Sequence, residues 1–486
     1  MELFERSAAE LARAVREGAH SVAEIVEAHL GRMDRLEPVL SAIVTPLKDE
    51  ARARAAALDI ALARGENPGP LTGVPVIVKD NFCTRRIRTT CSSRMLENWI
   101  PPYDASVVSY LERAGAVLIG KANMDEFAMG SSTEHSAFFT TSNPWDPSRV
   151  PGGSSGGSAA SCAAGYAPLT FGSDTGGSIR QPAAFCGIYG FKPTYGMVSR
   201  YGVVPFASSL DQIGPFARTL EDLLLAMEVI AEADEKDATC SRALRPDFRK
   251  ALDVTDLKGK RVGLVREFEG YDIDGPIVDA LARARAALHD AGATVVDVSL
   301  PTVGHGLACY YIIAPAEASS NLARFDGVRY GLSAEADSLI DLYHRTRKAG
   351  FGPEVKRRLL TGTYVLSSGY YDAYYNKALK VVAILRDEFA RAFGEADVIL
   401  APTTPTLPFR KGENIGDPIK MYMSDLFTLP ANMAGLPALS LNGGYSDGLP
   451  VGIQLIGPRW GEMEIFSAAA VLEKALGAPR LAGGDL

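Results

Sequence analysis

Lys79, Ser154 and Ser178 are the residues of this sequence best placed to do chemistry. Lys79 ends the apolar run 74–78, which reads as a short buried strand. Its amine therefore lies where desolvation lowers its pKa. A neutral lysine can act as general base for a serine, the Ser-Lys form of the triad logic. Ser178 follows Thr175-Gly176-Gly177. Successive N–H groups over 175–178, with two glycines that lack side chains, can curl into a nest that holds an oxyanion. Ser154 sits in a second glycine turn, suited to bridge the lysine and Ser178. Both turns belong to 150–180, VPGGSSGGSAASCAAGYAPLTFGSDTGGSIR, which holds eight of the 47 glycines and six serines.

Other chemistries also want such a segment. Gly172-Ser-Asp-Thr-Gly-Gly177 has phosphate-loop spacing, but Ser178 stands where the lysine that reaches the phosphates belongs. Gly152-Gly-Ser154-Ser-Gly156 matches a nucleophile elbow formally. An elbow needs a strand directly before it, and Arg149-Val150-Pro151 is loop chemistry instead. No S-x-x-K tetrapeptide occurs. The plain alternative is a Gly/Ser surface loop with Lys79 as a solvated strand-end lysine; the combination of all three residues is what favours catalysis.

Composition narrows the classes. The 486 residues are 47% hydrophobic and 22% charged, which excludes disorder and a small disulfide scaffold. A net charge of −8 argues against a chain that holds nucleic acid by itself. Six cysteines without C-x-x-C spacing and six histidines without a ligand pattern point to no metal site. The N-terminus lacks signal-peptide character and no apolar run approaches the roughly 20 residues of a membrane span, so a cytoplasmic protein is expected.

Elements must then position the three residues. Ser7 with Glu10 and Ser21 with Glu24 read as capping boxes of two N-terminal helices. Their apolar stripes are Leu11 and Val15, then Ile25, Val26, Leu30 and Met33. Beyond 70, strands alternate with helices. Strands are expected over 74–78, 116–119, 262–265, 294–298, 398–400, 438–441 and 452–455. Helices are expected from an Asp104 cap through 113, and over 220–231, 276–291, 371–393 and 463–476. This alternation predicts a single large α/β body with helices on both sheet faces.

Three segments carry a family resemblance: Val74-Pro-Val-Ile-Val-Lys79-Asp80, Pro151-Gly-Gly-Ser154-Ser-Gly-Gly-Ser158, and Gly172-Ser-Asp-Thr-Gly-Gly-Ser178-Ile-Arg-Gln-Pro. Together they resemble the amidase signature family. The resemblance implies one α/β domain over 1–486 with a mixed sheet flanked by helices. Within it, 1–65 form N-terminal helices, 71–215 the catalytic core, and roughly 302–395 a helical insertion. It implies a triad in which Ser178 is the nucleophile, Ser154 the bridging serine after a cis peptide bond, and Lys79 the base. Thr175, Gly176, Gly177 and Ser178 would form the oxyanion hole.

Further blocks are similar to one branch of that family, the A subunits of the amidotransferases acting on Glu-tRNA(Gln) and Asp-tRNA(Asn). They include 125–134, 192–196, 206–215, 317–327, 367–375 and 433–437. Departures at Asp237-Ala-Thr-Cys-Ser241 and at His135 leave the triad untouched. This branch implies glutamine as substrate, with Arg358 at its carboxylate and Asp425 at its ammonium. Met129, Gly130, Ser131 and Tyr310 would line the pocket. Taken alone, Arg358 reads as a solvated charge and Asp425 as a helix N-cap. The resemblance also implies no cofactor in this chain. It implies a heterotrimer with B and C subunits as partners. ATP and Mg²⁺ would act on the B subunit, which would also hold most of the tRNA, and the C subunit would clamp the complex, with no membrane involved. The alternative is a stand-alone amidase acting on a small amide.

Overall fold

Both expected capping boxes form. Ser7 Oγ accepts from Glu10 N–H and Ser21 Oγ from Glu24 N–H, opening the helices Ala8–Arg16 and Val22–Leu40. The stripes they present are buried against Ile77, Val117 and Ile119 of the sheet. The computed structural model that shows this describes residues 2–243 and 245–484.

Among the described residues, eleven strands make one mixed sheet. They are β1 (Ile43–Pro46), β2 (Pro75–Lys79), β3 (Val117–Ala122), β4 (Leu169–Asp174), β5 (Tyr189–Lys192), β6 (Gln212–Ala217), β7 (Arg261–Val265), β8 (Thr294–Val298), β9 (Val398–Pro402), β10 (Ala438–Ser446) and β11 (Leu449–Ile456). Their spatial order is β1-β3-β2-β4-β6-β5-β10-β11-β9-β7-β8. Strands β3, β2 and β4 run parallel, as do β9, β7 and β8; the middle pairings are antiparallel. The parallel register Val78↔Phe171 sets the end of β2 beside the end of β4. Lys79 and Ser173 thereby become neighbours, at the carboxyl edge where open α/β sheets place their ligands.

All the expected strands form, most of them longer than the sequence pattern marks. Strands β1, β4, β5 and β6 carry no such pattern. Leu169–Asp174 ends in Gly-Ser-Asp, and Gln212–Ala217 contains Gly214 and Pro215. Proline is normally confined to sheet edges. Here the ladder from β6 to β5 covers only Ala217 and Phe216, so Pro215 lies beyond it.

Asp104 does not cap its helix. That helix runs Ser106–Arg113 with Ala105 at the cap position, and Asp104 instead accepts Arg85 N–H at 2.6 Å. The segment expected as one helix over 371–393 opens with a wide π turn, Tyr371–Asn376, before the α-helix Lys377–Glu395. Between β8 and β9 the chain is helical: Gly306–Asn321, Leu339–Gly350, Pro353–Val365 and Lys377–Glu395. Among the described residues, no helix is long and apolar enough to cross a membrane.

Candidate active site

Lys79, the last residue of β2, is fully buried. Its Nζ donates to Ser154 Oγ at 2.7 Å, to Ser173 Oγ at 3.1 Å and to Ser173 O at 3.3 Å. Asn81 Nδ2 holds Ser173 Oγ from the other side at 3.0 Å. Burial pushes the Lys79 pKa down to about 7, against the pull of Asp125, Asp174 and Asp211. A strand-end lysine on the surface is thus excluded, and an amine that loses its proton near pH 7 stands against Ser154.

Ser154 lies just before the helix Gly156–Ala163, and the Gly153–Ser154 peptide bond is cis. Its carbonyl accepts Asp125 N–H at 3.2 Å. Asp125, wholly buried, also accepts the N–H groups of Thr133 (2.9 Å) and His135 (3.1 Å). One carboxylate thus folds the 129–135 turn against the Ser154 turn. A Cβ on Gly153 would fall 2.1 Å from Asp125 Oδ2, so only glycine permits the approach.

Ser178 is 8% exposed, whereas Lys79 and Ser154 are wholly buried. No hydrogen bond joins its Oγ to Ser154 among the described residues; catalytic contacts often tighten only when substrate binds. Its carbonyl accepts Ser155 N–H at 3.2 Å, which ties the two glycine turns together. A cavity of about 360 Å³ reaches this region from behind, at Ser173, Asp211 and Gln212 rather than at Ser178.

The expected oxyanion cradle needs one correction. Gly177 N–H donates to Asp174 Oδ1 at 2.8 Å and is therefore already committed. The N–H groups of Thr175, Gly176 and Ser178 find no acceptor among the described residues, which leaves them free for an oxyanion. Gly177 instead supplies a φ of 142°, and a Cβ there would lie 2.2 Å from Thr428 Oγ1.

Asp174 fixes that loop. Besides Gly177 N–H it accepts Ile179 N–H at 3.2 Å and pairs with buried Arg180 at 3.1 Å. Arg180 continues to Gln454 Oε1 at 3.1 Å and to Asn432 Oδ1. Burial alone would raise the Asp174 pKa; Arg180 more than offsets this and holds it below the usual value. Sequence reasoning missed both Asp174 and Arg180 as site residues, although they are the only two charges in 150–180. An isolated Asp and Arg six residues apart in a Gly/Ser/Ala-rich segment was the available signal.

The expected amino-acid pocket residues gather on the other side of this loop. Tyr310 is buried with its ring over Gly176, where an added Cβ would lie 2.7 Å from Cζ. Met129 and Ser131 are buried in the neighbouring turn, and a Cβ on Gly130 would fall 2.4 Å from Asp125 Cγ. Ser131 Oγ donates to Asp425 Oδ2 at 2.6 Å. Burial raises the Asp425 pKa to about 7, with Ser131 and Arg358 opposing. Asp425 caps no helix: the helix Leu429–Ala434 begins after Thr428.

Arg358 is 3% exposed, not solvated as its helix face alone suggests. Its Nε donates to Glu354 Oε1 at 2.8 Å, and Tyr422 Oη donates to the same oxygen at 2.8 Å. The guanidinium lies 5.1 Å from the Tyr311 ring centroid, 5.3 Å from Tyr422 and 5.5 Å from Phe206. Its two terminal nitrogens donate to nothing among the described residues, which leaves a planar fork suited to a carboxylate. Glu354 lies one turn before Arg358 on the same helix, an i,i+4 pair the sequence offered. Tyr311, Tyr422 and Phe206 carry no local signal, because they meet Arg358 only in the fold. No cluster of His, Cys, Asp and Glu suited to a metal ion occurs among the described residues.

The signature-family model described as Amidase matches residues 24–466. The chain belongs to the amidase family. It is similar to a protein of Heliobacterium modesticaldum named as the A subunit of glutamyl-tRNA(Gln) amidotransferase, 53% identical over 98% of each chain. A protein of the same name from Moorella thermoacetica is 54% identical over 98% of this chain and 97% of its own. Among solved structures, the A subunit of the Thermotoga maritima glutamyl-tRNA(Gln) amidotransferase superposes with a TM-score of 0.83 at 42% identity. That likeness covers 99% of this chain and 98% of the other. The fold is shared more widely in the family. The peptide amidase of Stenotrophomonas maltophilia gives a TM-score of 0.84 at 29% identity, covering 99% of each chain.

Proposed function

We propose that this chain is the glutaminase component of a tRNA-dependent amidotransferase, releasing ammonia from glutamine for use by its partners. Two observations bear on the choice within the family. The relatives above 50% identity carry that amidotransferase name over nearly their full length. A buried guanidinium, Arg358, and a buried carboxylate, Asp425, also lie on the Tyr310 side of the oxyanion loop, suited to a carboxylate and an ammonium. The Arg358–Asp425 combination carries the reading, because a small neutral amide needs neither charge.

The relay starts from the Lys79–Ser154 hydrogen bond and closes on Ser178 when substrate binds. Lys79 takes the Ser154 proton, and Ser154 takes that of Ser178 as Ser178 Oγ attacks the glutamine side-chain amide. The free N–H groups of Thr175, Gly176 and Ser178 meet the oxyanion, each such donor being worth about 2.7–4 kcal/mol. Ammonia leaves with a proton returned from Lys79 through Ser154. Water then attacks the glutamyl ester by the same relay and frees glutamate.

The ammonia serves to convert Glu-tRNA(Gln) to Gln-tRNA(Gln), or Asp-tRNA(Asn) to Asn-tRNA(Asn), on a partner B subunit that uses ATP and Mg²⁺. The C subunit clamps the pair, and the complex works in the cytoplasm. Purification of a tagged chain from its native cells tests the assembly. Two untagged partners should accompany it, and a chain that emerges alone and fully active on simple amides would favour the stand-alone amidase.

A further inference from the structure

Asp211 belongs to neither the triad nor the amino-acid pocket, yet it holds the first residue of the oxyanion loop and the backbone of Phe206 beside Arg358. It ends the loop before β6 and is 7% exposed. Its Oδ1 accepts Thr175 Oγ1 at 2.6 Å and Ala207 N–H at 3.2 Å; its Oδ2 accepts Phe206 N–H at 2.9 Å. Thr175 is the first residue of the oxyanion loop. Phe206 is one of the three rings around the Arg358 guanidinium. Its carbonyl is held in turn by Asn321 Nδ2 at 3.2 Å. Three donors converge on one carboxylate, so its position is set from both sides. Burial raises its pKa to about 6, with Thr175 opposing most strongly, so it stays an acceptor at neutral pH.

We infer that Asp211 is a positioning residue that fixes the span between the oxyanion cradle and the Arg358 carboxylate site. Resting on the glutaminase reading, this makes Asp211 the ruler that matches the pocket to a substrate with an amide at one end and a carboxylate at the other. Glutamine must place its amide carbonyl at Thr175–Ser178 while its carboxylate reaches Arg358. A loop free to shift at either end loses that simultaneous fit. Misplacement by about 1 Å can cost on the order of 100-fold in rate.

The link to the cradle, and the ring that Phe206 sets beside the guanidinium while its N–H stays on Asp211, can be tested separately. Thr175→Val removes only the link to the cradle; kcat for glutamine should fall about 10-fold or more while KM stays within about two-fold. Thr175→Ser keeps the hydroxyl and should restore wild-type kcat. Phe206→Leu removes the ring beside the guanidinium and should raise KM with little change in kcat. Asp211→Asn sets an amide donor against the converging donors and should change both parameters. In the double variant Thr175→Val/Asp211→Asn, kcat should fall no further than in Asp211→Asn alone, because both changes cut one link. Wild-type values for Asp211→Asn, or multiplying losses in the double variant, would overturn the inference. So would a Thr175→Val variant whose KM rises as much as its kcat falls. Wild-type protein that hydrolyses no glutamine would instead sink the functional reading, so the two failures are distinct.

Discussion

Lys79 and Asp425 are both buried and both shifted to about 7, and the proposed mechanism needs both without their protons. Lys79 can accept a proton only as the amine, above its pKa. Asp425 can hold an ammonium only as the carboxylate, also above its pKa. The kcat/KM for glutamine should therefore rise with pH through about 7, more steeply than one ionisation allows. Asp425→Asn should leave a single, shallower limb and a raised KM; an unchanged slope would remove Asp425 from the free-enzyme profile. Lys79→Met should lower kcat by at least about 10⁴-fold, since triad members act as a unit. Glutamate release by stopped assay measures both.

At the scale of elements, the site hangs on the ends of β2 and β4 and on the helix Pro353–Val365. Arg358→Ala should raise KM for glutamine about 100-fold or more while barely altering hydrolysis of a short neutral amide. Equal effects on both substrates would contradict the carboxylate assignment. Asp174→Ala leaves Arg180 buried and unpaired, and breaking such a pair costs about 3–5 kcal/mol. Denaturant titration should show that loss together with loss of activity. Alternating apolar runs made β2, β3 and β7–β11 legible in the sequence. The strands that complete the site were not, because β4 and β6 are held by pairing on both sides rather than by an apolar pattern. Lys79, Ser154 and Ser178 stood out as candidates because their contexts are local: an apolar strand run before Lys79 and glycine turns around the two serines. The roles proposed for Arg358 and Asp425 rest on the family resemblance: Glu354 pairs with Arg358 from the preceding turn of the same helix, but Tyr311 and Tyr422, whose rings flank the guanidinium, come from distant parts of the chain.

At the scale of the molecule, the single sheet lets one half carry the proposed triad while the helices that bring Tyr310 and Arg358 come from the segment between β8 and β9. The net charge of −8 fits the proposal that partner subunits hold most of the tRNA. The direct measurement is made on the complete complex with mischarged Glu-tRNA(Gln), ATP and Mg²⁺, comparing wild type with Ser178→Ala. The variant should lose amidation from glutamine yet keep amidation from added ammonium chloride. Glutamine-dependent amidation that survives in Ser178→Ala would contradict the account.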